Sequence, residues 1–278
     1  MFDIAIVGLG LMGGSLALAL KESSSLRVLG IERDEHTRAR VQELAITSEV
    51  TGELERVKDA GLIILATPVR TIVELVPRVG EFAQEGALIL DLGSTKRAVV
   101  QAMNELPAHV HSVGGHPLTG KETSGIGSAD GRLFQDKVFI LTPTFRTSEA
   151  DLGRVRTVLA PIGARFVEMD AGQHDLWLGL TSHLPYVAAT ALVLTALDEN
   201  EANWVELVAS GFRDTSRLAA SDEVMMSDIL LTNHDNVVKW LKRFSNKISM
   251  LAEAIERRDM GTLSKQMHRA AEKRRTLK

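Results

Sequence analysis

The sequence predicts an α/β fold over residues 1–169 and an all-helical fold over residues 170–278. Three observations predict it. Short β-rich apolar runs alternate with segments of helical period through the first 170 residues or so, the pattern of a parallel sheet covered by helices on both faces. A glycine-rich turn joins the first run to the first helical segment. Beyond about Ala171 no convincing strand remains, and long apolar-periodic segments take over.

Each element follows in order. Residues 2–7 form a short β-rich run, and residues 16–21 continue a helix. Residues 27–31 are the second strand. Residues 34–45 are polar with apolar side chains at helical spacing. A third apolar run, 62–66, is closed by Thr67-Pro68; 72–79 reads as helix and 87–92 as a strand closed by Gly93. Two further strands lie at 111–113 and 138–141, a helix at 148–159, and a last short strand at 165–168. The second half reads as helices at 174–197, 204–210, 235–257 and 262–274. Its basic end (Lys273, Arg274, Arg275, Lys278) suits a solvated helix terminus, where cations meet the negative end of the dipole.

Composition narrows the function. A chain of 278 residues holds one large domain or two medium ones. A net charge of −4, from 32 basic and 36 acidic residues, lacks the basic footprint of a nucleic-acid binder. There is no cysteine, so disulfides, thiolate metal sites and cysteine nucleophiles are all excluded, and a reducing cytoplasm is the expected compartment. Residues 4–20 are almost unbroken in apolarity, but Asp3 stands where a secretory leader would carry positive charge. A buried strand–turn–helix unit explains the run better, so the chain reads as soluble and untargeted, with neither membrane nor nucleic acid as partner and no metal.

The turn itself is Gly8-Leu9-Gly10-Leu11-Met12-Gly13. Gly8 permits the tight turn, Gly10 lets backbone approach a pyrophosphate, and Gly13 lets helix and strand pack closely. The helix start at Leu11 and Met12 offers free N–H groups and partial positive charge to phosphates. Glu32 stands at the end of the second strand, nineteen residues past Gly13, where a carboxylate can accept from ribose hydroxyls. Together these predict a Rossmann-like dinucleotide-binding domain, with Thr67 and Pro68 also assigned to the cofactor. A carboxylate at Glu32 repels a 2′-phosphate and favours NAD; Arg33 beside it can clamp one, which makes NADP the alternative.

Four more segments are rich in reactive side chains. They are Asp91-Leu92-Gly93-Ser94-Thr95-Lys96, Gly114-Gly115-His116-Pro117-Leu118-Thr119-Gly120-Lys121-Glu122, Ser182-His183-Leu184-Pro185 and Gly211-Phe212-Arg213-Asp214-Thr215-Ser216-Arg217. The first two follow strands, the side of an open α/β sheet where ligands bind. In this order, and over nearly the whole chain, the motifs resemble the prephenate and arogenate dehydrogenases. The resemblance implies an N-terminal dinucleotide-binding domain, a C-terminal helical dimerisation domain, and a homodimer acting on a small molecule, prephenate or arogenate.

It also implies roles. His116 matches the catalytic histidine that hydrogen-bonds the ring hydroxyl, Ser94 the serine that supports it, and His183 the second active-site histidine. Arg217 matches the arginine holding a substrate carboxylate, Asp214 its nearby acid, and Glu122 an acid at the pocket mouth. Arg213 is a further cation for the substrate, and Lys96 is assigned to substrate or structure. Lys121 departs from a threonine in many relatives and Met226 from a tryptophan, which puts the pocket entrance in question. The chemistry suits these residues. A neutral imidazole accepts a proton near pH 7, and a guanidinium fork holds a carboxylate in two places.

Each residue also has a purely structural reading. A histidine before proline can cap a turn, His183 can be a satisfied core histidine, and Arg213, Asp214 and Arg217 can form a surface ion network. Two other functional classes share the scaffold: β-hydroxyacid or 6-phosphogluconate-type dehydrogenases, and a dinucleotide-sensing binding protein.

Overall fold

The computed structural model describes residues 1–23, 25–197 and 202–277, so Lys278 of the basic end lies outside the described residues. Two compact units divide the chain, residues 1–234 and 235–278.

The first unit is built on an eight-stranded sheet. Its strands are β1 (Phe2–Val7), β2 (Val28–Ile31), β3 (Glu49–Thr51), β4 (Ala60–Leu65), β5 (Leu88–Asp91), β6 (His111–Pro117), β7 (Val138–Pro143) and β8 (Arg165–Glu168). Their order is β3-β2-β1-β4-β5-β6-β7-β8. The sheet is parallel, as expected, except where β6 meets β7 in an antiparallel pair. Alternation along each strand divides the core in two. Ile4, Ile6, Leu62 and Ile64 pack on one face, and Ala5, Val7, Ile63 and Leu65 on the other. Covered faces on both sides explain why the strands read as continuous apolar runs. Each buried Ile or Leu contributes about 1.5–3 kcal/mol.

The helices are held by local caps as well as by this core. α1 (Leu11–Ser23) starts inside the glycine turn, five residues before the expected 16–21 segment. α2 (Glu35–Leu44) is capped by Asp34, whose carboxylate accepts from Thr37 N at 2.7 Å. α3 (Val69–Phe82) follows Pro68, and α4 (Arg97–Asn104), unforeseen in sequence, follows Lys96. α5 (Glu149–Leu159) begins with a reciprocal Ser148–Asp151 capping box.

After β8, α6 (Ala171–Leu178), a π turn at Gly179–His183 and α7 (Leu184–Leu197) form one continuous rod. By length and apolarity alone this rod could cross a membrane. It carries buried His174, Asp175 and His183, however, and Asp175 is hydrogen-bonded to backbone following β5. An ionised carboxylate at such a position suits a protein interior, not lipid. α8 (Ser210–Ser216) and α9 (Glu223–Thr232) complete the unit, and the expected helix at 204–210 is a 3₁₀ turn, Ala202–Leu207.

The second unit holds most of α10 (His234–Glu256) and all of α11 (Met260–Thr276). Asp259 caps α11, accepting from Thr262 N at 3.0 Å. Phe244, Ile248, Ile255, Met260 and Met267 are exposed apolar side chains on these helices.

Candidate active site

The strand order reverses between β1 and β4, and the two chain turns that leave those strands flank the crevice where open α/β sheets bind ligands. One is the glycine turn. Gly8 has φ +91°, a conformation side-chain-bearing residues rarely take. A Cβ on Gly13 would stand 1.9 Å from the Gly8 carbonyl oxygen, so only glycine lets α1 lie this close to β1. Over Gly10 there is no protein atom within 4 Å. Glu32 braces the turn, accepting from Leu9 N at 2.9 Å and Asp34 N at 3.0 Å. The other turn carries Thr67, whose buried hydroxyl has no hydrogen-bond partner among the described residues. A tight turn, open space above it, a helix start, a carboxylate at the second strand and an unpartnered hydroxyl together fit a dinucleotide.

Deeper in the sheet, the D-x-G-S-x-K segment is a clamp. Lys96 and Asp91 are fully buried and ion-paired. The Lys96 ammonium also donates to Gly115 O at 2.7 Å, while Asp91 accepts from Gly93 N at 2.7 Å and Gly115 N at 3.0 Å. Burial pushes the Lys96 pKa down against the pull of Asp91. Lys96 therefore has no free charge for a substrate; it ties β5 to β6. Of the two roles the sequence leaves open for Lys96, this geometry fits the structural one. The G-G-H-P segment departs from the sequence reading: it lies within β6, not in a loop after it, with His116 opposite Ile140 of β7. Glycines carry little strand signal, which is why the sequence reading ends that strand at 113.

β6 brings His116 against the start of α6. His116 Nδ1 lies 2.8 Å from His174 Nε2, and His174 Nδ1 lies 2.8 Å from Asp175 Oδ1. The Asp175 carboxylate also accepts from Lys96 N at 2.7 Å and Arg97 N at 2.9 Å. Burial raises its pKa, but hydrogen bonds from His174 and those two amides outweigh burial and keep it below the ordinary value. Burial, with His174, Lys96 and His183 nearby, holds the His116 pKa well below that of a free histidine. Burial also depresses His174, against the opposing pull of Asp175. His183 sits at the end of the π turn, 3.1 Å from Asn233 Nδ2, and burial takes its pKa to about 4.

A cavity of about 640 Å³ joins the two regions. Gly10, Leu11, Met12, Thr67 and Pro68 line one part; Ser94, His116, His183 and Met226 line another, and Lys121 and Glu122 stand in a wall formed by residues 117–125. Gly8, Gly13, Glu32 and Arg33 are not in its wall. Ser94 faces the cavity, but His116 Nδ1 is held by His174. Arg217 is an exposed side chain ion-paired with Glu122, and Arg213 and Asp214 are exposed on α8; none of the three lines the cavity. Lys121 donates to Ser128 O at 3.0 Å and pairs with Asp130 at 3.3 Å, so it fastens the wall loop. Sequence reasoning missed His174, Asp175 and Asn233. The adjacent His-Asp pair at the head of an apolar helix is the signal that could have drawn attention to the first two.

The chain is similar to known proteins along most of its length. Residues 16–168 match the family model "Prephenate dehydrogenase, nucleotide-binding domain" and residues 170–269 match "Prephenate dehydrogenase, dimerization domain". The chain is 35% identical over 266 residues to a prephenate dehydrogenase of Bacillus subtilis, covering 94% of this chain and 72% of that one. Among solved structures it is similar to prephenate dehydrogenase from A. aeolicus in complex with hydroxyphenyl propionate and NAD+, at TM-score 0.93 and 31% identity, covering 100% of this chain and 99% of the other. It is also similar to Synechocystis arogenate dehydrogenase, at TM-score 0.84 and 27% identity, with 98% of each chain covered. With two family models in tandem along one chain, and a relative 35% identical over most of its length, this protein belongs to the prephenate dehydrogenase family.

Proposed function

We propose that the chain catalyses the NAD-dependent oxidative decarboxylation of prephenate to 4-hydroxyphenylpyruvate. The observation that carries this reading is His116. It is a buried neutral imidazole on the wall of the cavity that the glycine turn also lines. Gly8, Gly10, Leu11, Met12, Gly13, Glu32, Arg33, Thr67 and Pro68 hold the cofactor. Bound NAD supplies the acceptor for the hydride that leaves the ring carbinol carbon. His116 takes the hydroxyl proton as that carbon is oxidised. The bond to the ring carboxylate then breaks, CO2 departs, and its electron pair makes the ring aromatic. The oxygen recovers the proton from His116, so no proton is gained or lost overall.

Ser94 and His183 flank the reacting ring. Arg217, Arg213, Asp214 and Glu122 form the charged rim that receives a dianion. Residues 1–169 serve the cofactor and residues 170–278 the substrate and a homodimer contact; the match to a dimerization-domain model supports the latter. A cysteine-free soluble enzyme of this kind works in the cytoplasm.

Arogenate is the second reading, favoured by the likeness to the Synechocystis enzyme. Steady-state assays of the purified protein with prephenate and arogenate, each with NAD and NADP, test both. The highest kcat/KM is expected for prephenate with NAD. A preference for arogenate or for NADP would replace that half of the proposal, and no turnover with either substrate would overturn it.

A further inference from the structure

The roles above leave His174 and Asp175 unused, although both are buried, His174 bonded to His116 and Asp175 to His174. We infer that Asp175 and His174 are positioning residues that fix the tautomer of His116, leaving its Nε2 bare as the proton acceptor. The inference rests on the dehydrogenase reading for its purpose, but its geometry stands without it.

Donors and acceptors along this chain of groups can pair in one way only. Backbone N–H groups of Lys96 and Arg97 can only donate, and both point at the Asp175 carboxylate. An ionised carboxylate can only accept, so the His174 nitrogen 2.8 Å from Oδ1 carries a proton. A neutral imidazole holds one ring proton, and the other nitrogen of His174, Nε2, is therefore an acceptor. It faces His116 Nδ1 at 2.8 Å, which must donate to it. The two rings are tilted by 59° with centroids 5.0 Å apart, an edge contact and not a stack. His116 then has its lone pair on Nε2, the nitrogen left for the cavity it lines.

The same residue sets the second histidine in the opposite sense. Asn233 Nδ2 lies 2.7 Å from Asp175 O, a carbonyl that only accepts, so this atom is the amide nitrogen and donates. It also lies 3.1 Å from His183 Nδ1. His183 Nδ1 is thereby an acceptor and its proton sits on Nε2. One cavity histidine accepts and the other donates, both through Asp175. When His116 Nε2 takes the substrate proton, its Nδ1 proton can pass to His174 Nε2. The positive charge then lies on His174 against the Asp175 carboxylate. Return of the proton to the oxygen resets the chain.

Two measurements test this. The first is ¹⁵N–¹H NMR of the full chain with labelled histidine, without substrate, which reads which ring nitrogen of His116 carries the proton. The expected form is Nδ1–H. The second is kinetics with prephenate and NAD on His174→Phe and His174→Gln. The phenylalanine removes the acceptor; the glutamine restores one through its side-chain oxygen. His174→Phe is expected to lower kcat about a hundredfold with KM within about twofold, and to shift His116 toward Nε2–H. His174→Gln is expected to recover about tenfold of that loss and the Nδ1–H form. An Nε2–H signal for His116 in the wild-type protein overturns the inference, whether or not either variant folds. Equal kcat for the two variants also overturns it. A wild-type Nδ1–H signal without turnover of prephenate would sink the dehydrogenase reading and leave the tautomer assignment standing.

Discussion

The His116–His174–Asp175 chain and the Glu122–Arg217 pair are both polar, and both bring together residues far apart in sequence. They differ in water. Every member of the first is buried, and Asp175 at its end accepts from two backbone amides. The Arg217 and Glu122 side chains are 60% and 48% exposed. In the dry site a misplaced proton has no solvent to turn to, so geometry dictates which atom holds it. In the wet one, solvent and salt screen the pair, and it can open and close at little cost. On the proposed function, fixed chemistry belongs to the first region and adjustable substrate capture to the second.

The largest expected effect breaks the dry region. His116→Asn should lower kcat by about a hundredfold or more while prephenate binding stays nearly intact, read from steady-state kinetics. An active variant would remove the base assignment. The glycine turn offers the next contrast between filled and open space. Gly13→Ala sets a methyl 1.9 Å from a backbone oxygen that cannot yield, so a loss of about 1–3 kcal/mol should appear in thermal unfolding. Gly10→Ala meets no protein atom and should leave the unfolding midpoint alone while weakening NAD binding in titration calorimetry. Equal midpoints for the two variants would contradict the geometry.

Acid sharpens the comparison further. His116, His174 and His183 have folded-state pKa values below that of the unfolded chain, near 6.5. Below that pH the unfolded state binds more protons, so stability is fully present above about 6.5 and falls as pH drops through it. For His183 the loss continues to about 4, at about 1 kcal/mol per pH unit. Denaturant midpoints between pH 8 and 4.5 should show it, and a flat profile would mean the histidines are not buried neutral. The smallest structural effect belongs to the wet pair. Arg217→Ala should raise KM for prephenate much more than it lowers kcat and leave the unfolding midpoint in place. Unchanged KM would make the pair merely structural.

Much of the fold was legible because it is local. The strands at 2–7 and 165–168 and the capped helix at 148–159 announce themselves through apolar pattern and capping residues. Weak local signals hid the rest. β3 has three residues, and the glycines of β6 favour no strand, so that strand is held by its pairing with β7. In the site, His116 and His183 stood out by their motifs. Lys96 looked equally reactive and proved to be a buried tie between strands.

By itself the sequence determined the family, the dinucleotide turn and the identity of the cavity histidines, because these depend on residue types at short spacing. Only the tertiary structure decided which groups touch. His116 and His174 are 58 residues apart and meet through the closing of the sheet against α6. His174 and His183, nine positions apart, would point to about opposite sides of a regular α-helix, and the π turn between them underwinds the rod and turns the second back toward the first. Local pattern can name a proton acceptor, but its protonation depends on partners that chain folding alone brings within hydrogen-bond reach.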